Sequence, residues 1–298
     1  MKSNEAEQFI RSALQDIYEA GEASNIAAMV VEHLSGKSRS ERMLDAVAFS
    51  LEQEQSLNHY LQRLKQHEPV QYVLGESWFA GMQLFVDKNV LIPRPETEEL
   101  VQWIIDDVKK EKPYVFERKI FEADQTHQLK IIDIGTGSGC IALALKKAMP
   151  VAEVWGCDVS EEALNVARRN GSTLNIRVDF QNANFLDVAQ QKHLPSLDIV
   201  VSNPPYIPQK DKTSIQANVL NYEPHIALFV PDNDALVFYK ALIEFGKHRL
   251  HKGGKIYMEI HEDLAKDVVS LFEGEHYSVI VRKDMQGKDR MVRAISNY

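Results

Sequence analysis

The residues best suited to chemistry form the run Asn203-Pro204-Pro205-Tyr206, here called the NPPY corner, which directly follows the apolar segment 197–202. Such a segment predicts a buried strand, so the Asn203 side chain is expected at the end of a sheet. Proline lacks an N–H, holds φ at about −65° and keeps the preceding residue out of the helical region. The corner is therefore a stiff turn whose amide, carbonyls and aromatic ring can hold a planar, hydrogen-bonding nitrogen group. By itself it is equally compatible with a turn that only ends a strand.

A second chemical feature lies upstream, where the apolar residues 130–134 run into the glycine loop, residues 135–139. Glycine lets the backbone approach a ligand closely, and the helix that follows presents unpaired N–H groups. The dinucleotide fingerprint G-x-G-x-x-G requires glycine where this chain has Cys140. Asp158, at the end of the next apolar segment, is placed to bind ribose hydroxyls. The loop therefore predicts a nucleoside-containing cofactor and leaves its identity open.

The downstream corner separates the possible cofactor classes. A dehydrogenase has no use for an NPPY corner, whereas an enzyme that methylates an amide or exocyclic amine nitrogen does. In combination, residues 133–139, Asp158 and the NPPY corner resemble the class I S-adenosylmethionine-dependent N-methyltransferases. The corner alone also resembles methyltransferases that act on adenine in DNA, so it does not define the substrate.

Three further stretches narrow the resemblance. Residues 68–75 (EPVQYVLG), 91–98 (LIPRPETE) and 222–224 (YEP) resemble the peptide chain release factor glutamine methyltransferases of the HemK type. The resemblance extends over nearly the whole chain and is weakest over residues 1–65. It implies transfer of a methyl group from S-adenosylmethionine to the side-chain amide nitrogen (N5) of the glutamine in the GGQ motif of release factors.

The resemblance also implies which residues form the site. The glycine loop would hold the methionine part of the cofactor, Asp158 the ribose and Phe185 a face of the adenine. Asn184 stands where the family usually has an acidic residue, which leaves the polar contact to adenine open. The implied catalytic residues are Asn203, Pro204, Pro205 and Tyr206. The implied cofactor-binding residues are Gly135, Thr136, Gly137, Ser138, Gly139, Asp158, Phe185 and Asn203.

The mechanism implied by the resemblance is direct methyl transfer onto a weak nucleophile. An amide nitrogen reacts poorly because its lone pair is delocalised into the carbonyl. The Asn203 side-chain oxygen and the Pro204 carbonyl would accept its two N–H bonds, orient it and stabilise positive charge developing on nitrogen. Tyr206 would pack on the amide plane. Arg94 and Glu96 are expected at the pocket mouth, and His225 is expected to be a surface or packing residue.

The elements that position these residues follow from hydrophobic periodicity. Apolar stripes at helical spacing predict a helical bundle over residues 1–70. Such a bundle could recognise a partner or only pack on its neighbour, and we assign it as a candidate substrate-recognition domain. Alternating residues predict a β-hairpin connector over 71–95, with its first strand at 70–75. The remaining residues, 96–298, form the predicted methyltransferase domain. Its strands are predicted at 130–134, 153–157, 176–180, 197–201, 255–260, 277–282 and 290–295.

This alternation of strands and helices predicts an α/β fold. The expected architecture is a seven-stranded, mostly parallel, Rossmann-like methyltransferase sheet with helices on both faces and an antiparallel final pair of strands. A small all-helical N-terminal domain would be joined to it by the hairpin.

Composition limits the partners. The 298 residues are 44% hydrophobic and 26% charged, which is typical of a soluble globular protein with room for two domains. Two cysteines without CxxC spacing argue against a zinc site or a disulfide framework, so no metal is expected. A formal net charge of −9 disfavours stable DNA binding. No apolar run is long enough to span a membrane and no signal peptide is recognisable, so a cytoplasmic location is expected.

Two rival functions remain at this stage. A nucleic-acid adenine N6-methyltransferase would require a basic face and usually a separate target-recognition region. A non-catalytic protein that keeps the fold and holds a translation factor would need neither Asn203 nor an intact glycine loop.

Overall fold

The computed structural model describes residues 1–116 and 128–298 of the chain. The chain divides into two compact units. The first unit comprises Met1–Glu76 with Gln216–Tyr222, and the second comprises Ser77–Ile215 with Glu223–Tyr298. The predicted domain limits of 1–70, 71–95 and 96–298 stay predictions.

The bounds of the secondary-structure elements are given in chain order. The α-helices are α1 Ser3–Leu14, α2 Ala20–Ser35, α3 Arg39–Leu44, α4 Leu51–Leu64, α5 Val70–Leu74, α6 Pro95–Glu111, α7 Cys140–Ala148, α8 Glu161–Leu174, α9 Val188–Gln191, α10 Ala217–Tyr222, α11 Val237–Arg249 and α12 Ala265–Gly274. The strands are β1 Glu76–Phe79, β2 Met82–Phe85, β3 Lys130–Ile134, β4 Glu153–Asp158, β5 Asp179–Asn182, β6 Leu197–Ser202, β7 Ile207–Pro208, β8 Phe229–Val230, β9 Leu250–Glu259, β10 Tyr277–Lys283 and β11 Asp289–Ser296.

The first unit is a helical bundle around one apolar core. Ile10 and Leu14 of α1 pack in this core with Val30 of α2 and with Leu57 and Leu61 of α4. A capping box precedes α3: Ser38 N donates to Glu41 Oε2 at 2.8 Å, and Glu41 N donates to Ser38 Oγ at 3.5 Å.

Helix α3 ends at Leu44, and a second capping box at Ser50 begins α4. One sequence-based assignment beside this bundle was wrong. The segment predicted as the first strand of the hairpin forms the helix α5 instead. Pro69 supplies a suitable start for that helix, and Gly75 ends it in the left-handed region at φ 70°. The hairpin itself is formed by β1 and β2.

The second unit is built on a seven-stranded sheet with the order β10-β11-β9-β6-β3-β4-β5. Strands β9, β6, β3, β4 and β5 are parallel to one another, and β11 is antiparallel to both β9 and β10. The predicted α/β class, the mostly parallel sheet and the antiparallel final pair are therefore confirmed. One strand is displaced from its prediction, because β5 covers Asp179–Asn182 rather than 176–180.

Helices cover both faces of this sheet. Ile131 of β3 packs on one face with Leu100 of α6 and Leu143 of α7. The next residue, Ile132, packs on the opposite face with Leu242 of α11 and the apolar side of α12. Successive side chains of a strand point to opposite faces, so strands buried on both faces read as the continuous apolar runs seen in the sequence.

Candidate functional site

Four neighbouring parallel strands end at the same edge of the sheet in the second unit. β3 runs into the glycine loop, β4 ends at Asp158, β6 leads into the NPPY corner and β9 ends at Glu259. The chain continues from β3 to one side of the sheet through β4 and β5, and then returns to the other side through β6. Ligands of open α/β sheets bind outside the carboxyl ends of the strands at such a point of reversal.

A cavity of about 330 Å³ lies at this edge. We call it the strand-end cavity. Its size falls within the ~300–1,000 Å³ that is usual for small-molecule sites. The predicted site residues that line it are Gly135, Gly137, Asp158, Phe185, Asn203, Pro204 and Pro205. The described residues that line the cavity do not include Thr136, Ser138, Gly139 or Tyr206, and the roles of these four residues stay predictions.

The glycine loop is folded tightly against the end of β4. The N–H groups of Gly135 and Thr136 both donate to the Cys157 carbonyl, at 2.9 and 3.0 Å. Gly135 and Gly137 have φ values of +71° and +53°, and a Cβ added to either would meet no atom within 4 Å. The positive φ favours glycine, and the open space beside each Cα leaves room for a ligand to approach the backbone.

The other three residues of the glycine loop form buried hydrogen bonds and packing contacts with the surrounding protein. The Thr136 hydroxyl donates to Asp133 Oδ2 at 2.6 Å, and both side chains are buried. Ser138 is buried, and its carbonyl accepts from Asn170 Nδ2 at 3.0 Å. A Cβ on Gly139 would lie 3.1 Å from Ala167 Cβ. Gly139 is therefore required for close packing of the loop.

Asp158 joins the loop to the end of β4. Its Oδ2 accepts from Gly137 N at 2.9 Å and its Oδ1 from Ser160 N at 3.0 Å. Burial raises the pKa of Asp158, and the N–H groups of Ser160 and Gly137 oppose that rise by stabilising the carboxylate. The side chain thus lines the cavity as an acceptor that is already fixed in place.

Phe185 and Asn184 differ in how they present themselves to the cavity that both line. Phe185 is buried, and its ring packs edge-on against Phe245 with the centroids 5.3 Å apart. Asn184 is exposed, and its side-chain oxygen accepts from Leu186 N at 3.1 Å. A rigid ring at this point of the wall can cover a planar group, whereas the Asn184 oxygen is engaged in its own turn.

The NPPY corner is backed by two residues that the sequence analysis did not identify. Asn203 Nδ2 donates to Thr97 Oγ1 at 3.1 Å, and Thr97 Oγ1 donates to Glu259 Oε2 at 2.7 Å. The Tyr206 hydroxyl donates to the other oxygen, Glu259 Oε1, at 3.3 Å. Burial raises the pKa of Tyr206, and the negative charge of Glu259 adds to this effect.

Glu259 could have been noticed as a charged residue that ends an apolar strand, as Asp158 does. The strand order that brings it to the corner could not be read from the sequence. Ser202 of β6 pairs with Met258 of β9, so the residues that follow them, Asn203 and Glu259, lie side by side at the sheet edge. Thr97 lies in the first turn of α6, which begins at Pro95, a residue suited to the first helical position.

The expectation that Arg94 and Glu96 line the pocket mouth stays a prediction. Neither belongs to the described residues that line the cavity. Arg94 forms an ion pair with the buried carboxylate of Glu223, which also accepts from Ile92 N at 3.1 Å. Glu96 Oε1 accepts from Gln286 Nε2 at 3.2 Å.

His225 is an exposed residue whose ring contacts that of Phe229. Its ring stands at 90° to that of Phe229, with the centroids 5.3 Å apart. Across residues 1–116 and 128–298, no group of three or more His, Cys, Asp or Glu side chains is arranged to hold a metal ion. The same residues contain no helix long and apolar enough to cross a membrane.

Two protein families match parts of the chain. The family described as Methyltransferase small domain matches residues 119–225, and the one described as PrmC N-terminal domain matches residues 5–75. Together they coincide with the strand-end site and with the helical bundle of the first unit.

Curated relatives extend the match over the whole length. The release factor glutamine methyltransferase of Bacteroides thetaiotaomicron is 39% identical over 98% of this chain and 99% of its own. That of Flavobacterium psychrophilum is 42% identical over 78% of this chain and 77% of its own. That of Bacillus anthracis is 33% identical over 99% of each chain.

Solved structures agree on the fold. The catalytic domain of human METTL16, determined in complex with MAT2A 3'UTR hairpin 6, aligns with a TM-score of 0.52 at 16% identity and covers 82% of each chain. At this level of identity the likeness concerns the fold alone.

Proposed function

The chain belongs to the family of release factor glutamine methyltransferases, and on this basis we propose that it methylates the side-chain amide nitrogen (N5) of the glutamine in the GGQ motif of peptide chain release factors, with S-adenosylmethionine as methyl donor. The family supplies the reaction class and the protein substrate. The strand-end cavity supplies a place for both reactants.

One observation carries this proposal. Asn203 and Pro204 line the same cavity as Gly135, Gly137 and Asp158. Two acceptors remain available there, because the described residues donate no hydrogen bond to the Asn203 side-chain oxygen or to the Pro204 carbonyl. A primary amide carries two N–H groups, so this pair of acceptors matches the group to be methylated.

The residues present fit the proposed cofactor. The backbone at Gly135 and Gly137 is open to a ligand, the Asp158 carboxylate is an acceptor for ribose hydroxyls, and the Phe185 ring offers a flat face for adenine. When bound, S-adenosylmethionine supplies an electrophilic methyl group on its sulfonium sulfur. We propose Gly135, Gly137, Asp158 and Phe185 as direct contacts, with Thr136, Ser138 and Gly139 shaping the loop from behind.

The protein's own contribution is to position the amide. The Asn203 oxygen and the Pro204 carbonyl would accept its two N–H bonds and hold its nitrogen in one orientation. As positive charge develops on nitrogen, these fixed dipoles would stabilise it without reorganisation. The stiff Pro204-Pro205 turn keeps both acceptors in place, and Tyr206 would limit the rotation of the bound amide.

The substrate is proposed to be a protein rather than DNA. The net charge of −9 opposes the phosphate neutralisation on which stable DNA binding depends. The helical bundle of the first unit is proposed to take part in recognising the release factor. No metal is required, because neutral acceptors are sufficient to orient and stabilise the amide.

The test is a methyl-transfer assay with labelled S-adenosylmethionine. Purified release factor, the same factor with the GGQ glutamine replaced by alanine, and duplex DNA are offered separately, and the modified peptide is located by mass spectrometry. Asn203→Ala is compared with Asn165→Ala, which removes an exposed amide on α8. We expect label only on the intact release factor, and a loss of about a hundredfold or more for Asn203→Ala alone.

Two results would refute the proposal. Label on DNA but never on release factor would identify a nucleic-acid methyltransferase. Binding of S-adenosylmethionine and release factor without any transfer would identify a binding protein that keeps the fold.

A further inference from the structure

A buried carboxylate and a buried hydroxyl stand in line behind the NPPY corner. Thr97 and Glu259 are 2% and 3% exposed, and they come from α6 and from the end of β9. They are joined to Asn203 by consecutive hydrogen bonds of 2.7 and 3.1 Å. Neither residue lines the cavity within the described part of the chain, so neither is placed to touch a ligand.

The chemistry of the three groups gives this line of hydrogen bonds a direction. A carboxylate can only accept, so the Thr97 hydroxyl must use its single proton to bond Glu259. The Thr97 oxygen then has only lone pairs to offer to Asn203. It can therefore bond the NH₂ group of the Asn203 amide but not the oxygen.

A hydrogen bond that holds the NH₂ group of an amide also determines where the amide oxygen lies. The Asn203 side chain would otherwise have two orientations related by rotation about its terminal bond, with oxygen and nitrogen exchanged. With NH₂ held by Thr97, the oxygen is the atom left for a ligand, and the described residues donate no hydrogen bond to it. The reversed orientation would place NH₂ groups of protein and substrate against one another.

We propose that Glu259 and Thr97 are positioning residues that set the orientation of the Asn203 amide, so that its oxygen rather than its NH₂ group faces the substrate amide. The proposal rests on the proposed function, since it assigns these residues a role in the same site. In this proposal the Glu259 carboxylate at the end of β9 sets, through Thr97, which atom of the Asn203 amide faces the substrate.

Glu259 is suited to this task by its surroundings. Burial raises its pKa, whereas the Thr97 hydroxyl, the positive charge of Arg290 and the Tyr206 hydroxyl oppose that rise and favour the carboxylate. The carboxylate also accepts from Tyr206, so one side chain orients two residues of the NPPY corner.

The test uses substitutions that change donors and acceptors while keeping size. Thr97→Val removes the hydroxyl, and Thr97→Ser retains it. Glu259→Gln replaces an acceptor-only carboxylate with an amide that offers a donor as well as an acceptor, so the direction of the Thr97 hydroxyl, and with it the Asn203 orientation, is no longer fixed. The matched control is Tyr257→Phe, because the Tyr257 hydroxyl makes a buried 2.8 Å bond to Asp107 that also joins β9 to α6 but lies apart from the corner.

The kinetic outcome separates positioning from folding. We expect kcat for the release factor to fall about ten- to a hundredfold in Thr97→Val and Glu259→Gln. S-adenosylmethionine affinity should stay within about twofold, and Thr97→Ser and Tyr257→Phe should keep near wild-type kcat. Wild-type kcat in both Thr97→Val and Glu259→Gln would overturn the proposal, as would equal losses in Thr97→Ser and Thr97→Val.

A second measurement does not depend on activity. In nuclear magnetic resonance spectra of protein labelled with ¹⁵N at asparagine, the Asn203 side-chain NH₂ pair is assigned by its disappearance in Asn203→Ala. We expect one proton of this pair to be shifted and protected from exchange in the wild type and in Thr97→Ser, and to lose both properties in Thr97→Val. An unchanged NH₂ pair in Thr97→Val would refute the orientation.

The proposed function and the positioning role of Thr97 and Glu259 can be refuted separately. A wild-type protein that never labels the release factor glutamine refutes the proposed function, while the resonance experiment still decides whether Thr97 holds the Asn203 amide. A wild-type protein that does label it, combined with full activity of Thr97→Val and Glu259→Gln, refutes only the positioning role.

Discussion

Asp158 accepts a hydrogen bond from the Gly137 N–H at 2.9 Å, so a carboxylate at the end of β4 holds the loop at the end of β3. Its second oxygen accepts from Ser160 N at 3.0 Å, at the start of α8. One side chain therefore fixes the glycine loop, the helix that follows β4 and a wall of the strand-end cavity. Its predicted contact with ribose would add a ligand to a group that is already immobile.

Replacing this carboxylate should weaken cofactor binding more than folding. Asp158→Ala removes the acceptor for Gly137 and the proposed contact to ribose, and we expect the Kd for S-adenosylhomocysteine to rise about tenfold or more, measured by isothermal titration calorimetry. The matched control is Asp284→Asn. Asp284 also accepts from two backbone N–H groups, those of Gln286 and Lys288 at 2.9 Å, but lies outside the described wall of the cavity. An unchanged Kd in Asp158→Ala would remove Asp158 from the cofactor site.

The ring of Tyr206 should matter more than its hydroxyl. The hydrogen bond from the Tyr206 hydroxyl to Glu259 is long, at 3.3 Å. Removing this hydroxyl leaves the hydrogen bond between Thr97 and Glu259 in place. We expect kcat to change by less than about threefold in Tyr206→Phe and to fall about tenfold or more in Tyr206→Ala, because only the second removes the ring that we propose limits amide rotation. Melting curves of both variants report folding. Equal kcat values for the two variants would assign Tyr206 to packing alone.

Much of the site could be predicted because buried parallel strands read as apolar runs and their last residues stand out. Asp158 and Asn203 were found in this way, and both line the cavity. Thr97 and Glu259 were missed because their importance depends on β9 lying next to β6, an order set by the packing of the whole sheet.

The local sequence pattern also gave a wrong prediction where it fits both a strand and a short helix. Val70–Leu74 alternates well enough for a strand, but Pro69 and Gly75 supply the start and the left-handed end of a short helix. The ion pair between Arg94 and Glu223 was not foreseen because the two residues are distant in the sequence. Long-range pairing of this kind has no signature in a single chain.

The buried acid beneath the glycine loop should make stability depend on pH. Burial raises the pKa of Asp133 to about 7, against the opposing hydrogen bonds of the Thr136 hydroxyl and the Ala142 N–H. The Asp133 carboxyl group therefore binds its proton more tightly in the folded state than in the unfolded state, in which its pKa is near the usual 3.8. Its stabilising contribution is complete below about pH 4 and is lost as pH rises through about 7.

Asp133→Asn removes this titration. Between pH 5.5 and pH 8 we expect the free energy of unfolding of Asp133→Asn to rise relative to wild type by about 2 kcal/mol, measured by urea unfolding across that range. Asp179→Asn, which alters an exposed carboxylate on β5, should follow the wild-type curve. Parallel wild-type and Asp133→Asn curves would show that Asp133 does not titrate in this window.

The fold should require an amide at Asn170, because the NH₂ group of this side chain donates hydrogen bonds and its oxygen accepts one. Its Nδ2 donates to the carbonyls of Phe85 and Ser138, each at 3.0 Å, and its Oδ1 accepts from Phe85 N at 2.7 Å. It thereby ties the hairpin strand β2 to the glycine loop. Asn170→Ala leaves these buried backbone groups without their partner and should lower the free energy of unfolding by about 1–3 kcal/mol in urea. Asn170→Asp keeps the size but cannot donate to two carbonyls, so it should be destabilised at least as much. Asn165→Ala on the exposed side of the same helix should change little, and wild-type stability of Asn170→Asp would contradict the assignment.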